Sequence, residues 1–228
     1  MDLDDTLLDY TGGVDDSWTE ACEAVAPPAG LDAVALGAAV FRARRTFWDD
    51  PVQNRLERMD MMGAWTKIAA RALAELGAAD GPLPGCIAED FAARRWARMR
   101  LFPGVRGALH RLRERAVSLA LVTNGDRHQQ RRKVEQYDLA GFFDVILIEG
   151  EFGAGKPDPS VYRHALRSLG AKPSEAWMVG DNLEWDVDGP QRLGLRGIWV
   201  DGHGRGLPES SPIVPHRIIR AFPELLAD

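Results

Sequence analysis

A chain of 228 residues that is 45% hydrophobic and 27% charged has enough apolar material for one large globular domain or two modest ones, and its composition is neither fibrous nor disordered. A formal net charge of −6 argues against a general nucleic-acid binder, and the longest apolar stretch, around residues 33–41, falls well short of the roughly 18 residues a membrane-spanning helix needs. Cys22 and Cys86 form neither a CxxC pair nor a disulfide framework, so a zinc site is not expected, and with no signal-type segment opening the sequence as written a cytoplasmic location is.

The sequence starts on an acidic cluster, with Asp2, Asp4 and Asp5 directly after Met1. From residue 14 to about 99, apolar positions recur at spacings of three and four and β-rich runs are absent, which predicts an all-helical region. Breaks at Pro27-Pro28, at Asp50-Pro51 and over residues 81–85 divide it into four or more helices, including 33–47, 65–76 and 88–99. Beyond residue 105 the pattern alternates. A helix over 105–115 leads to an apolar strand at 117–122, then a polar helix over 127–139, a strand at 143–148, a helix over 159–169, a strand at 176–179, a helix over 184–193 and a strand at 195–200. A short edge element at 215–219 and a last helical turn at 223–227 close the chain.

Strands that are apolar on both faces and alternate with helices predict a parallel sheet covered on both sides. The expected fold class is therefore α/β: a Rossmann-like parallel sheet core flanked by helices, with a second, all-helical domain. Gly12-Gly13 and Phe102-Pro103-Gly104 read as the two crossings, giving a core of residues 1–13 and 103–228 and a helical domain of 14–102.

Four short segments fall at predicted C-terminal strand ends, where ligands bind in open α/β folds. They are Asp2-Leu3-Asp4-Asp5-Thr6, Thr123-Asn124-Gly125, Gly155-Lys156-Pro157-Asp158-Pro159, and Gly180-Asp181 with Asp186 five positions on. Each alone has a bland reading as a cap, a turn or an exposed loop. Together, four carboxylates (Asp2, Asp4, Asp181, Asp186) converging on one pocket need a cation, and all-oxygen ligation favours Mg²⁺. Mg²⁺ leaves ligand positions to phosphate oxygens, so a phosphoryl group is the natural substrate fragment. Lys156 supplies further positive charge. The Thr123 hydroxyl and the backbone N–H groups after it, at Asn124 and Gly125, offer hydrogen bonds to the transferring oxygens. Only four of the 28 basic residues are lysines (Lys67, Lys133, Lys156, Lys172), which raises interest in any lysine in such a setting.

The set, in this order, resembles the haloacid dehalogenase superfamily, and the helical region between the first and second motifs resembles the α-helical cap of one of its subgroups. The resemblance implies that Asp2 is the nucleophile of an aspartyl-phosphate pathway, and that Asp4 protonates the leaving oxygen and then activates water. It implies a metal bound by the Asp2 carboxylate, the Asp4 backbone carbonyl, Asp181 and, directly or through water, Asp186. Dehalogenases of the superfamily lack an acid two positions after the nucleophile, so Asp4 favours phosphate ester hydrolysis: a Mg²⁺-dependent phosphatase of a small phosphorylated metabolite, with no nucleic acid or membrane partner, as a monomer or a homodimer. A phosphomutase shares every core residue, and a catalytically silent binding or regulatory member is the non-enzymatic alternative. Family members carry an apolar strand of about five residues before the first motif. Only Met1 stands there, so a missing upstream segment, and poor stability or activity of the chain as written, are expected.

Trp18, Trp48, Trp65 and Trp96, with the arginines at 42, 44, 45, 55 and 58, have two readings in the helical domain. One is packing and solubility; the other is a lid facing a second anionic or sugar-like part of a substrate. Asp5, Asp158 and Asp188 read as a turn residue, a loop cap and a surface acid, and the five scattered histidines lack metal-ligand spacing.

Overall fold

The computed structural model describes residues 1–78 and 81–227. These form two compact units, one of Met1–Tyr10 with the chain from Arg100 onward, the other of Thr11–Met99.

The second unit contains helices α1 (Val14–Val25), α2 (Ala33–Trp48), α3 (Pro51–Glu57), α4 (Met61–Glu75) and α5 (Leu83–Arg98). Aspartates set three of the starts: Asp32, Asp50 and Asp60 accept the backbone N–H of Ala35, Val52 and Gly63 at 2.8, 2.8 and 2.9 Å. Pro51, whose missing N–H costs nothing at a first helical position, follows Asp50 directly. The helices then bury their apolar stripes against one another. Phe91 of α5 stacks on Trp18 of α1, with ring centroids 3.9 Å apart, and meets Trp65 of α4 edge-on at 5.1 Å. Trp18, Trp65 and Trp96 are buried, and packing accounts for Trp18 and Trp65.

In the first unit, β1 (Leu8–Asp9) and β2 (Arg100–Leu101) pair antiparallel. Parallel pairing joins β3 (Ala120–Thr123) to β4 (Val145–Ile148), and β5 (Trp177–Gly180) to β6 (Arg196–Val200) to β7 (Arg217–Ile219). Met1 and Asp2 stand between the two groups. The Met1 amine donates to the Ala120 carbonyl (2.7 Å), the Val122 N–H donates to the Met1 carbonyl (2.9 Å), and the Asp2 N–H donates to the Val179 carbonyl (2.9 Å). Asp2 is thereby delivered to the C-terminal ends of β3 and β5. Helices α6 (Val105–Glu114), α7 (Arg127–Gln136), α8 (Glu149–Phe152), α9 (Pro159–Leu169) and α10 (Gly189–Gln191) complete the unit. Val161, Tyr162 and Ala165 of α9 pack on Ala120, Val122, Leu147 and Met178 of three strands.

Two elements differ from the expected pattern for local reasons. The apolar run from residue 117 becomes a strand only at Ala120, because Ala116 adopts a left-handed backbone (φ 54°) and the Val117 N–H closes α6 onto the Leu112 carbonyl. The helix expected over 184–193 is a wide, π-type turn over Leu183–Asp188 followed by the short α10. Asn182 starts that turn by accepting the N–H groups of Glu184 (3.1 Å) and Trp185 (2.9 Å).

Candidate active site

Strand ends position the acidic residues. Asp2 follows from the backbone bonds just described, Asp181 follows β5 directly, and the wide turn returns Asp186 towards Gly180, so closely that a Cβ on Gly180 would collide with the Asp186 carboxylate. Oxygens of Asp2, Asp181 and Asp186 lie within 4.8 Å of one another. Asp2 and Asp186 are buried, while Asp181 sits half-buried at the rim. Trp199 of β6 donates its indole N–H to the Asp181 carbonyl at 2.7 Å and fixes that corner.

Lys156 enters this cluster from the loop before α9. Its Nζ donates to Asp2 Oδ1 at 2.6 Å and to Asp186 Oδ1 at 2.7 Å, and the side chain is almost wholly buried. The loop is anchored by Asn124, whose Nδ2 donates to the Lys156 carbonyl and whose Oδ1 accepts the Lys156 N–H, both at 2.7 Å. Asn124 thus holds Lys156 through its side chain.

Three carboxylates and one ammonium leave excess negative charge in a dry place. Burial, reinforced by Asp186 and opposed by Lys156, pushes the Asp2 carboxyl up to about 7. Burial and the Asp2 and Asp186 charges push Asp181 up to about 8. For Lys156, burial disfavours the ammonium, yet Asp186 and Asp2 outweigh it and hold the pKa above its ordinary value. A hard divalent cation would relieve the imbalance on the carboxylate side. The all-oxygen donor set of Asp2, Asp181 and Asp186 fits such an ion.

Asp4 lies apart from that triplet. Lys133 Nζ binds both of its carboxylate oxygens, at 2.9 and 2.7 Å, and Gln130 Nε2 reaches Oδ2 at 3.0 Å. The same Gln130 nitrogen donates to Thr123 Oγ1 at 2.6 Å and to the Asn124 carbonyl at 3.0 Å. Since Thr123 Oγ1 accepts here, its own proton remains to be donated elsewhere. The Gly125 N–H donates to buried Glu149 Oε2 at 2.9 Å, so binding an anion there requires that bond to be exchanged. Asp5 is a turn residue (φ 54°) that accepts the Tyr10 N–H, Asp158 caps α9 through the Ser160 N–H, and Asp188 pairs with Arg192.

The family model for haloacid dehalogenase-like hydrolases matches residues 1–194. The chain belongs to that family. It is 40% identical over 163 residues to phosphoserine phosphatase of Thermus thermophilus, a match covering 68% of this chain and 64% of that protein. Over 130 residues it is 39% identical to N-acylneuraminate-9-phosphatase of Rattus norvegicus, covering 57% and 52%. The matches thus span about half to two thirds of these curated relatives' length. Among solved structures, 2-haloacid dehalogenase from Pseudomonas syringae pv. Tomato DC3000 superposes with a TM-score of 0.64 at 26% identity, covering 98% of this chain and 94% of that one.

Sequence reasoning missed Lys133, Gln130 and Glu149 in this family member. A signal for two of them existed: Gln130 and Lys133 are three apart on an otherwise polar helix, hence on one face, directly after the Thr123-Asn124-Gly125 turn. That face is the buried one.

Proposed function

We propose that the chain is a Mg²⁺-dependent phosphatase of a small phosphomonoester, acting through an aspartyl-phosphate on Asp2. The observation that carries this reading is the meeting of the Asp2, Asp181 and Asp186 carboxylates, two of them bonded to Lys156, with a further carboxyl, Asp4, held outside that triplet by Lys133. An Asp2 oxygen attacks phosphorus while the bond to the ester oxygen breaks, and the departing oxygen takes a proton from the Asp4 carboxyl. Water then attacks the phosphorus and gives its proton to Asp4, the Asp2–phosphorus bond breaks, and inorganic phosphate leaves with the Asp2 carboxylate restored.

Asp2 and Asp181, with the Asp4 backbone carbonyl and, directly or through water, Asp186, would hold the metal. When bound, Mg²⁺ offsets repulsion between the Asp2 carboxylate and the phosphate and polarises the phosphoryl oxygens. Lys156 adds a positive charge on the same oxygens, and Thr123 has its hydroxyl proton available to them. Asp4 also separates this reading from dehalogenation, since departure of a halide needs no proton whereas departure of an alkoxide does. The helical unit is the region the resemblance assigns to a substrate-selecting cap, and the relatives' phosphate ester substrates support a small phosphorylated metabolite for this chain.

The test is release of phosphate from a panel of phosphomonoesters, with p-nitrophenyl phosphate as the generic member, in Mg²⁺ and in EDTA. Activity in Mg²⁺ that disappears on chelation and in Asp2→Asn is expected. Turnover surviving either change overturns the reading.

A further inference from the structure

Among the described residues of the sheet unit, the mechanism above leaves one buried side-chain cation without a task. Lys133 is 2% exposed, and its ammonium touches both oxygens of Asp4 and lies 3.9 Å from the centre of the Tyr10 ring. Stability does not account for it. A buried ion pair gains little over apolar side chains of the same volume once desolvation is included, and an apolar residue would pack at position 133 of α7 at no such cost. Its hydrogen bonds go to Asp4, whose carboxylate stands outside the Asp2–Asp181–Asp186 triplet.

Asp4 itself has the exposure an acid–base group needs. Its side chain is 23% exposed while that of Lys133 is 3% exposed, so the carboxyl is reachable from solvent but gripped from inside the protein. Gln130, one turn before Lys133, grips Oδ2 from the same helix and Thr123 Oγ1 with the same nitrogen. Both side chains of α7 therefore hold the proposed proton-transfer group, and Gln130 also ties it to the proposed phosphate-binding hydroxyl. A free aspartate side chain turns about two torsions, and a proton transfer misplaced by about an ångström loses about 100-fold in rate.

We propose that Lys133 and Gln130 are positioning residues that hold the Asp4 carboxyl in the orientation from which it serves both proton transfers. The inference rests on the phosphatase reading. Hydrolysis of the phosphoenzyme needs Asp4 to take a proton from water, whichever substrate was used. Phosphorylation by p-nitrophenyl phosphate does not need it, because nitrophenolate leaves without a proton. A loosened Asp4 therefore slows the second step selectively on this substrate, and phosphoenzyme accumulates. On an alkyl phosphate such as glycerol phosphate both steps slow and no accumulation is expected.

The experiment compares wild type with Lys133→Met, which keeps the buried volume, and with Lys133→Gln, which keeps a hydrogen-bond donor. For Lys133→Met on p-nitrophenyl phosphate, kcat is expected to fall about 100-fold while kcat/KM, which reports the phosphorylation step, stays within about 3-fold of wild type, so KM falls along with kcat. A nitrophenolate burst approaching one per enzyme and phosphorylated chain in intact-protein mass spectra accompany that fall. Lys133→Gln should recover part of the loss. Crystal structures provide the readout apart from turnover: one Asp4 rotamer in wild type, a displaced or divided one in Lys133→Met. An unmoved Asp4, a kcat within about 3-fold of wild type, or a fall in kcat without accumulated phosphoenzyme overturns the inference alone. A wild-type protein silent across the ester panel removes the phosphatase reading, and this inference with it.

Discussion

The two units manage charge in opposite ways. Of the buried polar and charged side chains among the described residues, the helical unit holds Ser17 and Arg95, and the sheet unit holds the other nine, Asp2, Lys133, Lys156 and Asp186 among them. Apart from Arg95, the helical unit keeps its acids and bases towards the outside, in pairs such as Arg42–Glu75, Arg94–Glu20 and Lys67–Glu57, and fills its interior with Trp18, Phe91, Leu36 and alanines. The difference separates two purposes of a core. Apolar interdigitation stabilises at little electrostatic cost, whereas carboxylates and ammonium groups out of water are retained for what they do together.

The largest test of that contrast removes the proposed nucleophile. Asp2→Asn is expected to lower kcat by about 10⁴-fold or more, as loss of a covalent catalyst does, measured as phosphate release at saturating ester. Because it also removes one of the crowded charges, its melting temperature should equal or exceed that of the metal-free parent. Next, Lys156→Met leaves Asp2 and Asp186 without their shared cation and should cost about 4 kcal/mol in urea unfolding at pH 8. Saturating Mg²⁺ should return more stability to this variant than to the parent. In the helical unit the comparable loss needs a cavity rather than a charge: Phe91→Ala removes the ring stacked between Trp18 and Trp65 and should cost about 3 kcal/mol, with no dependence on Mg²⁺ or pH.

The pH dependence sharpens the same contrast. Asp2 and Asp181 have carboxyls raised from 3.8 to about 7 and about 8, so their contribution to stability is complete below pH 3.8 and is lost as pH rises through those values. The buried Met1 amine, lowered from 8.0 to about 5, works the other way: its contribution is complete above pH 8 and is lost as pH falls through 5. Two carboxyls against one amine leave a net loss, so the metal-free protein is expected to melt a few degrees lower at pH 8.5 than at pH 6. Mg²⁺ should cancel that difference, since it replaces the protons the carboxyls give up. Melting curves at both pH values, with and without Mg²⁺, check both statements.

What the sequence disclosed follows the same division. The α/β class and the helical region are legible because burial writes a period, two-sided apolar runs for the sheet strands and three-and-four spacing for the helices. Asp181 is legible because it stands where an apolar run stops, and Asp2, Lys156 and Asp186 are legible with it through the order and spacing of the four short segments. Lys133 and Gln130 are not, because a polar helix reads as a solvated one unless its inner face is known. In 127–136 the residues turned inward are Gln130, Lys133 and Val134. The engagement of the Gly125 N–H by Glu149 is likewise invisible, since it joins residues 24 apart, from the turn after β3 to the start of α8.

The smallest effect is expected where charges are most conspicuous. Arg42 and Glu75 form an ion pair between α2 and α4 with side chains about half exposed, 56% and 47%. Water already solvates both groups, and ordering two long side chains offsets most of the remaining attraction. Arg42→Ala should therefore change stability by less than about 0.5 kcal/mol, and a double-mutant cycle with Glu75→Ala should give a coupling of similar size that shrinks further in high salt. A coupling above about 1 kcal/mol would break the contrast drawn between the units. It would mean that the helical unit, too, depends on specific charge pairs, placed between its helices instead of in its core.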